Sequence, residues 1–86
     1  MSMQLDKVQP KNRVQLEQLI DYAFKHNIYN LNFIDTSEIT DMSNLFVNCE
    51  YDIDVSNWDV SNIHTMYCVF KNCVNLTIPS WYKSNV

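Results

Sequence analysis

The sequence predicts an α/β fold: a short solenoid of about two strand-turn-helix units plus a partial third, capped by an N-terminal amphipathic helix. Three observations carry that expectation. The stretch IDTSEITDMSNLFVNC, residues 34–49, returns twenty-four residues later as WDVSNIHTMYCVFKNC, residues 58–73, with Asp35/Asp59, Ser37/Ser61, Ile39/Ile63, Met42/Met66, Phe46/Phe70, Asn48/Asn72 and Cys49/Cys73 identical. An apolar stripe of helical period precedes the first copy, and IPSWYKSNV, residues 78–86, repeats only the opening of a further unit. Units that stack bury their faces against neighbours, so a short array needs both ends covered.

The chain, 1–86, reads as one domain divided into a capping helix at 10–27, a first repeat at 28–57, a second at 58–77 and a truncated third at 78–86. In the first segment Pro10 blocks a helix from upstream, Asn12 suits the N-cap, and Gln15 stands at capping-box spacing. Leu16, Leu19, Ile20, Ala23 and Phe24 then form one apolar stripe. Lys25 and His26 suit the negative end of the helix dipole, and Asn27 suits a left-handed closing position. Ile28 to Ile34 has the aromatic and β-branched content of a short strand, and Ile53, Val55 and Trp58 alternate with polar residues. Met42, Leu45, Phe46 and Cys49 fall at i, i+3, i+4 and i+7, and Met66, Val69, Phe70 and Cys73 repeat the pattern. That spacing predicts a two-turn helix in each unit. The last segment aligns with the second repeat through Trp58/Trp81, Ser61/Ser84, Asn62/Asn85 and Ile63/Val86.

Composition narrows the function classes. The 86 residues hold no glycine, which excludes phosphate-cradling glycine loops and leaves left-handed backbone positions to asparagine. Three cysteines, an odd number, suit a reducing compartment, and neither a secretory leader nor a membrane-spanning run is evident, so a cytoplasmic location is expected. The net charge of −4 is unevenly spread: residues 35–63 carry seven acids and no base. Such a field repels nucleic acid and attracts a basic partner, and no membrane partner is expected.

The phrases DTSEITDMSNLF, VSNWDVSNI and MYCVFKNC resemble the short repeat of the BspA-like leucine-rich repeats of bacterial surface proteins, whose units read approximately D-x-S-N-V-T-x-M-x-x-M-F. With the lead-in PKNRVQLEQLI, the resemblance covers roughly residues 10–86. It implies a leucine-rich-repeat-like solenoid and, for function, a structural or adhesive repeat module.

The chemistry-bearing residues form no catalytic set. His26 and His64 are the only histidines, and no carboxylate pair or oxyanion hole is recognisable, so no enzyme is expected. His64, Cys68 and Cys73 have a spacing loosely compatible with zinc but lack a fourth ligand. Asp52, Asp54 and Ser56 open like a calcium loop, but Asn57 and Ile63 stand where glycine and glutamate are needed. No metal or cofactor is expected. Cys49 and Cys73 read as stacked small hydrophobes, and Cys68 as the exposed thiol.

Positions that differ between units, or lie in the acidic stretch, are the candidates for recognition: Glu38, Asp41, Glu50, Tyr51, Asp52, Asp54, His64 and Tyr67. The expected function is that of a small acidic inhibitor that neutralises a basic target, such as a nuclease or another nucleic-acid-binding effector, by stoichiometric binding. A toxin immunity protein and a phage anti-defence protein, for example an anti-CRISPR, both fit that reading. Pairing of exposed repeat ends into a homodimer stays open.

Overall fold

The computed structural model describes residues 7–82, so Ser84, Asn85 and Val86 of the expected third unit lie outside the described residues. Helix α1 spans Arg13–Lys25. It begins where Asn12 Oδ1 accepts the Gln15 N–H at 2.9 Å, which satisfies a donor that the first turn leaves without a partner, while Gln15 Oε1 accepts the Lys11 N–H, just before the cap, at 2.8 Å. It ends in a Schellman motif. Asn27 takes φ 59°, its N–H donates to Phe24 O at 3.1 Å, and the Ile28 N–H donates to Ala23 O at 2.8 Å. Leu16, Ile20 and Ala23 are buried, and each fully buried leucine or isoleucine contributes about 1.5–3 kcal/mol.

Beyond α1 the architecture departs from the strand-turn-helix solenoid that the periodicity predicts. Among the described residues α1 is the only helix, and pairing is limited to three isolated parallel bridges, Val8 with Ile34, Asn30 with Asp54 and Asp41 with Thr65, with no sheet. The expected short helices at 42–49 and 66–73 are runs of turns. Asn44 and Asn48 adopt φ 59° and 62°, and Cys68 and Asn72 adopt 56° and 62°. A left-handed residue at every fourth position ends each incipient α-turn.

The hydrogen bonds then divide by parity. Leu45, Val47 and Cys49 donate back three residues to Met42, Asn44 and Phe46, whereas Met42, Asn44, Phe46 and Asn48 donate sideways to Thr65, Tyr67, Val69 and Lys71. An i, i+3, i+4, i+7 stripe is compatible with this coil as well as with a helix, because both return a side chain to the same face about every fourth residue. Met42 and Phe46 are buried, and Leu45, Cys49, Met66 and Cys73 pack partly buried against the same cluster.

The core is one cluster that joins α1 to both units. Leu16 and Ala23 of α1 share it with Leu31, Ile34, Ile39, Met42, Ile53, Val55, Trp58 and Val69. Buried indole and hydroxyl groups are paired within it: Trp58 Nε1 donates to Leu31 O at 2.8 Å and Thr36 Oγ1 to Asp59 O at 2.9 Å. Trp81 repeats the first of these, donating to Val55 O at 2.8 Å. Asparagines tie the units along their rim, with Asn72 Nδ2 on Asn48 Oδ1 at 3.0 Å, Asn62 Nδ2 on Ser37 O at 2.7 Å and Asn75 Nδ2 on Glu50 O at 2.9 Å.

Candidate protein-binding face

Each aspartate that stands two residues before a serine closes a turn. The Asp35, Asp41, Asp54 and Asp59 Oδ1 atoms accept the N–H groups of Ser37, Ser43, Ser56 and Ser61 at 2.9–3.0 Å. At the last three the serine hydroxyl donates as well, at 2.6–2.7 Å. The serine N–H is the main cause at Asp35 and Asp54, and the serine hydroxyl at Asp41 and Asp59, that holds these carboxyls below the ordinary carboxylate range. Asp54 also accepts from Asn32 Nδ2 at 3.0 Å, and Asp41 lies 3.7 Å from the Arg13 guanidinium of α1. Thus Asp41 and Asp54, two of the acids expected to recognise a partner, hold the backbone of their own units.

Two further acids are committed to α1. Glu17 lies 3.2 Å from Arg13 Nε, an ion contact without hydrogen-bond alignment, and Asp21 lies 3.1 Å from Lys25. The side chains of Glu38, Glu50 and Asp52 make no hydrogen bond or ion pair among the described residues, and all three are exposed.

Glu50 and Asp52 flank an aromatic cluster. Tyr51 stacks on Tyr29 with centroids 4.6 Å apart and packs against Phe24 at 4.9 Å, yet remains 43% exposed. Tyr51 lines a groove of about 320 Å³ that runs between Phe24 of α1 and the 45–51 segment. A separate cleft of about 550 Å³ lies between residues 52–56 and 77–80, with Asp52 and Asp54 on its wall. An amphipathic ring held in place by two others, with a free carboxylate on each adjacent residue and a groove beside it, suits a lysine or arginine side chain.

The remaining candidates lie elsewhere on the units. His64 is exposed at the start of the second coil, where its N–H donates to Thr40 O at 2.7 Å, and Tyr67 is 67% exposed on that coil. Glu38 occupies the turn that follows Ser37. The fold brings Tyr51, which Glu50 and Asp52 adjoin in the chain, onto Phe24 and Tyr29, and leaves Glu38, His64 and Tyr67 on separate turns. Residue-type reasoning missed Phe24 and Tyr29 as members of the face. Both sit beside the helix closure with their rings 6.0 Å apart, and the return of residue 51 over α1 adds Tyr51 to the pair.

The thiols carry no exposed nucleophile. Cys68 is half-buried like Cys49 and Cys73, which corrects the expectation that it is the exposed one of the three. Burial pushes the Cys73 thiol up, and its Sγ donates to Phe46 O at 3.1 Å. Among the described residues no cluster of three His, Cys, Asp or Glu side chains is arranged to hold a metal ion, and no helix is long and apolar enough to cross a membrane.

A family model described as "Mycoplasma protein of unknown function, DUF285" matches residues 11–86. The chain belongs to this family. The DUF285 match takes in α1 and both repeats together, so the helix is part of the family pattern and not an appendage to it. No curated protein and no solved structure matches the chain.

Proposed function

We propose that this DUF285 chain acts by binding, as a small acidic inhibitor that neutralises a basic target protein, such as a nuclease, through the face centred on Tyr51. The observation that carries the reading is the pairing of an aromatic anchor, Tyr51 on Tyr29 and Phe24, with the two neighbouring carboxylates whose charge is not spent within the described fold, Glu50 and Asp52. Charge steers the encounter, and a desolvated ring supplies the contact that lasts. A toxin immunity protein and a phage anti-defence protein use the same chemistry, and the identity of the target separates them.

The test is affinity capture from the source cells, followed by titration of the captured partner against the wild type and a Glu50→Lys/Asp52→Lys variant. The variant should keep the far-UV spectrum and melting temperature and weaken binding by about tenfold or more, with the wild-type affinity falling as salt rises. Unchanged affinity, or a partner without a basic surface, overturns the reading.

A second reading is a structural or adhesive repeat module of the BspA-like surface type. The in-register pairing of the two units favours it. It predicts that the same charge reversal leaves adhesion or assembly intact.

A further inference from the structure

Cys49 and Cys73 close the two coils at equivalent positions, and the residues just before them are held in register. The Phe46 and Phe70 rings stack 5.9 Å apart, Asn72 Nδ2 donates to Asn48 Oδ1 at 3.0 Å, and the Asn48 N–H donates to Lys71 O at 2.9 Å. Backbones joined side by side by such hydrogen bonds run about 4.7–4.9 Å apart, and a disulfide spans α-carbons about 4.4–6.8 Å apart. The cysteine that follows each asparagine therefore stands within bridging distance of its counterpart.

The two cysteines also meet around one carbonyl. Phe46 O accepts the Cys49 N–H at 3.1 Å and the Cys73 thiol at 3.1 Å. Burial raises the Cys73 thiol, the Cys49 N–H facing its sulfur lowers it, and the Cys49 thiolate charge raises it again, so Cys73 Sγ lies within reach of both the backbone and the side chain of Cys49. What holds the sulfurs apart is weak. The Cys49 thiol donates to Tyr51 O at 3.8 Å and the Cys73 thiol to Phe46 O, and S–H groups are poor donors. Phe46 O keeps the Cys49 N–H when the thiol leaves it. Access differs between the two, because Cys49 lines the groove of about 320 Å³ beside Tyr51 and Cys73 lies outside its wall. Cys68 stands where the first unit has Asn44, away from this shared position.

We propose that Cys49 and Cys73 are a modification site, which a low-molecular-weight disulfide such as oxidised glutathione converts to a reversible cross-link clamping the second unit to the first. The Cys49 thiolate, its proton given to solvent, attacks one sulfur of the small disulfide in the groove; a mixed disulfide forms on Cys49 and the first small thiolate leaves. The Cys73 thiolate then attacks the Cys49 sulfur and expels the second. Two protein thiols and one small disulfide become one protein disulfide and two small thiols, with both protons passing through solvent to the leaving thiolates. The clamp forms whatever the Tyr51 face binds.

The test equilibrates the full 86-residue chain with mixtures of reduced and oxidised glutathione, in native buffer and in urea, then alkylates the free thiols and maps the peptides by mass spectrometry. Cleavage after Lys71 separates Cys73 from Cys49, and a Cys68→Asn variant, run beside the wild type, leaves these two as its only cysteines. The native chain should form the cross-link at a ratio of oxidised to squared reduced glutathione at least about tenfold lower than the urea-unfolded chain requires, since the fold raises the effective concentration of one thiol at the other. The urea midpoint of the cross-linked chain should rise and return to its first value on adding dithiothreitol, and Cys68 of the wild type should stay open to alkylation. Equal ratios in buffer and in urea, a glutathione adduct that persists on Cys49 without the cross-link, or a cross-link through Cys68 in the wild type each overturns the proposal.

Discussion

Phe46 and Phe70, twenty-four positions apart, lie with their rings 5.9 Å apart and 8° from parallel, and the Phe46 N–H donates to Val69 O at 2.9 Å. Ring and backbone lock the same register, so this pair joins the two units. Phe46→Ala removes a side chain that is 3% exposed and should destabilise the chain by about 3–5 kcal/mol in urea unfolding. Tyr67→Ala, on a side chain that is 67% exposed, should stay within about 0.5 kcal/mol.

Cys68 is the one described non-asparagine residue held at positive φ, at 56°, where its counterpart Asn44 stands at 59°. L-residues with a full Cβ strain against the following carbonyl there, and asparagine tolerates the position best. Cys68→Asn should raise the melting temperature, with a gain of up to about 1 kcal/mol, and Cys68→Val should lower it by more than that. Thermal unfolding of both variants checks the order.

Asp35, Asp41, Asp54 and Asp59 all have lowered carboxyl pKa values because serine donors favour the charged form. A group depressed in the folded state contributes stability that is complete above its unfolded value of about 3.9 and is lost as pH falls through the folded value. The urea midpoint should therefore hold level from neutrality down to about pH 4 and fall below it. Asp59→Asn keeps an acceptor for Ser61 but removes the titrating charge, so its midpoint should fall less steeply over the same acid range.

The Trp58 indole is buried with its N–H on Leu31 O, which also accepts the Ile34 N–H at 3.1 Å. Trp58→Phe loses that bond without stranding the carbonyl and should cost about 1 kcal/mol beyond the change in packing. Trp81 is only half-buried. The emission of the Trp81→Phe variant, reporting Trp58 alone, should be blue-shifted relative to that of Trp58→Phe, and both should shift red together on unfolding.

Local chemistry was legible where neighbours along the chain supply the whole interaction. Asn12, Gln15 and Asn27 bound α1 as their types require, and asparagine does take the left-handed positions in a chain without glycine. The face was legible only in part. Glu50, Tyr51 and Asp52 stood out by type, but Asp41 and Asp54 carry the same charge, and only the D-x-S spacing that they share with Asp35 and Asp59 marks them as claimed by a serine two residues on. Phe24 and Tyr29 joined the face without any signal of their own.

By itself, the order of residues determined that the chain repeats, that one amphipathic helix precedes the repeats, and which side chains turn inward, because periodicity and capping are properties of adjacent residues. Whether each repeat became helix or coil was decided by the tertiary structure. A helix spends its amides within one segment, whereas alternate amides of residues 42–48 found carbonyls on the next unit. That exchange exists only once the two copies lie side by side.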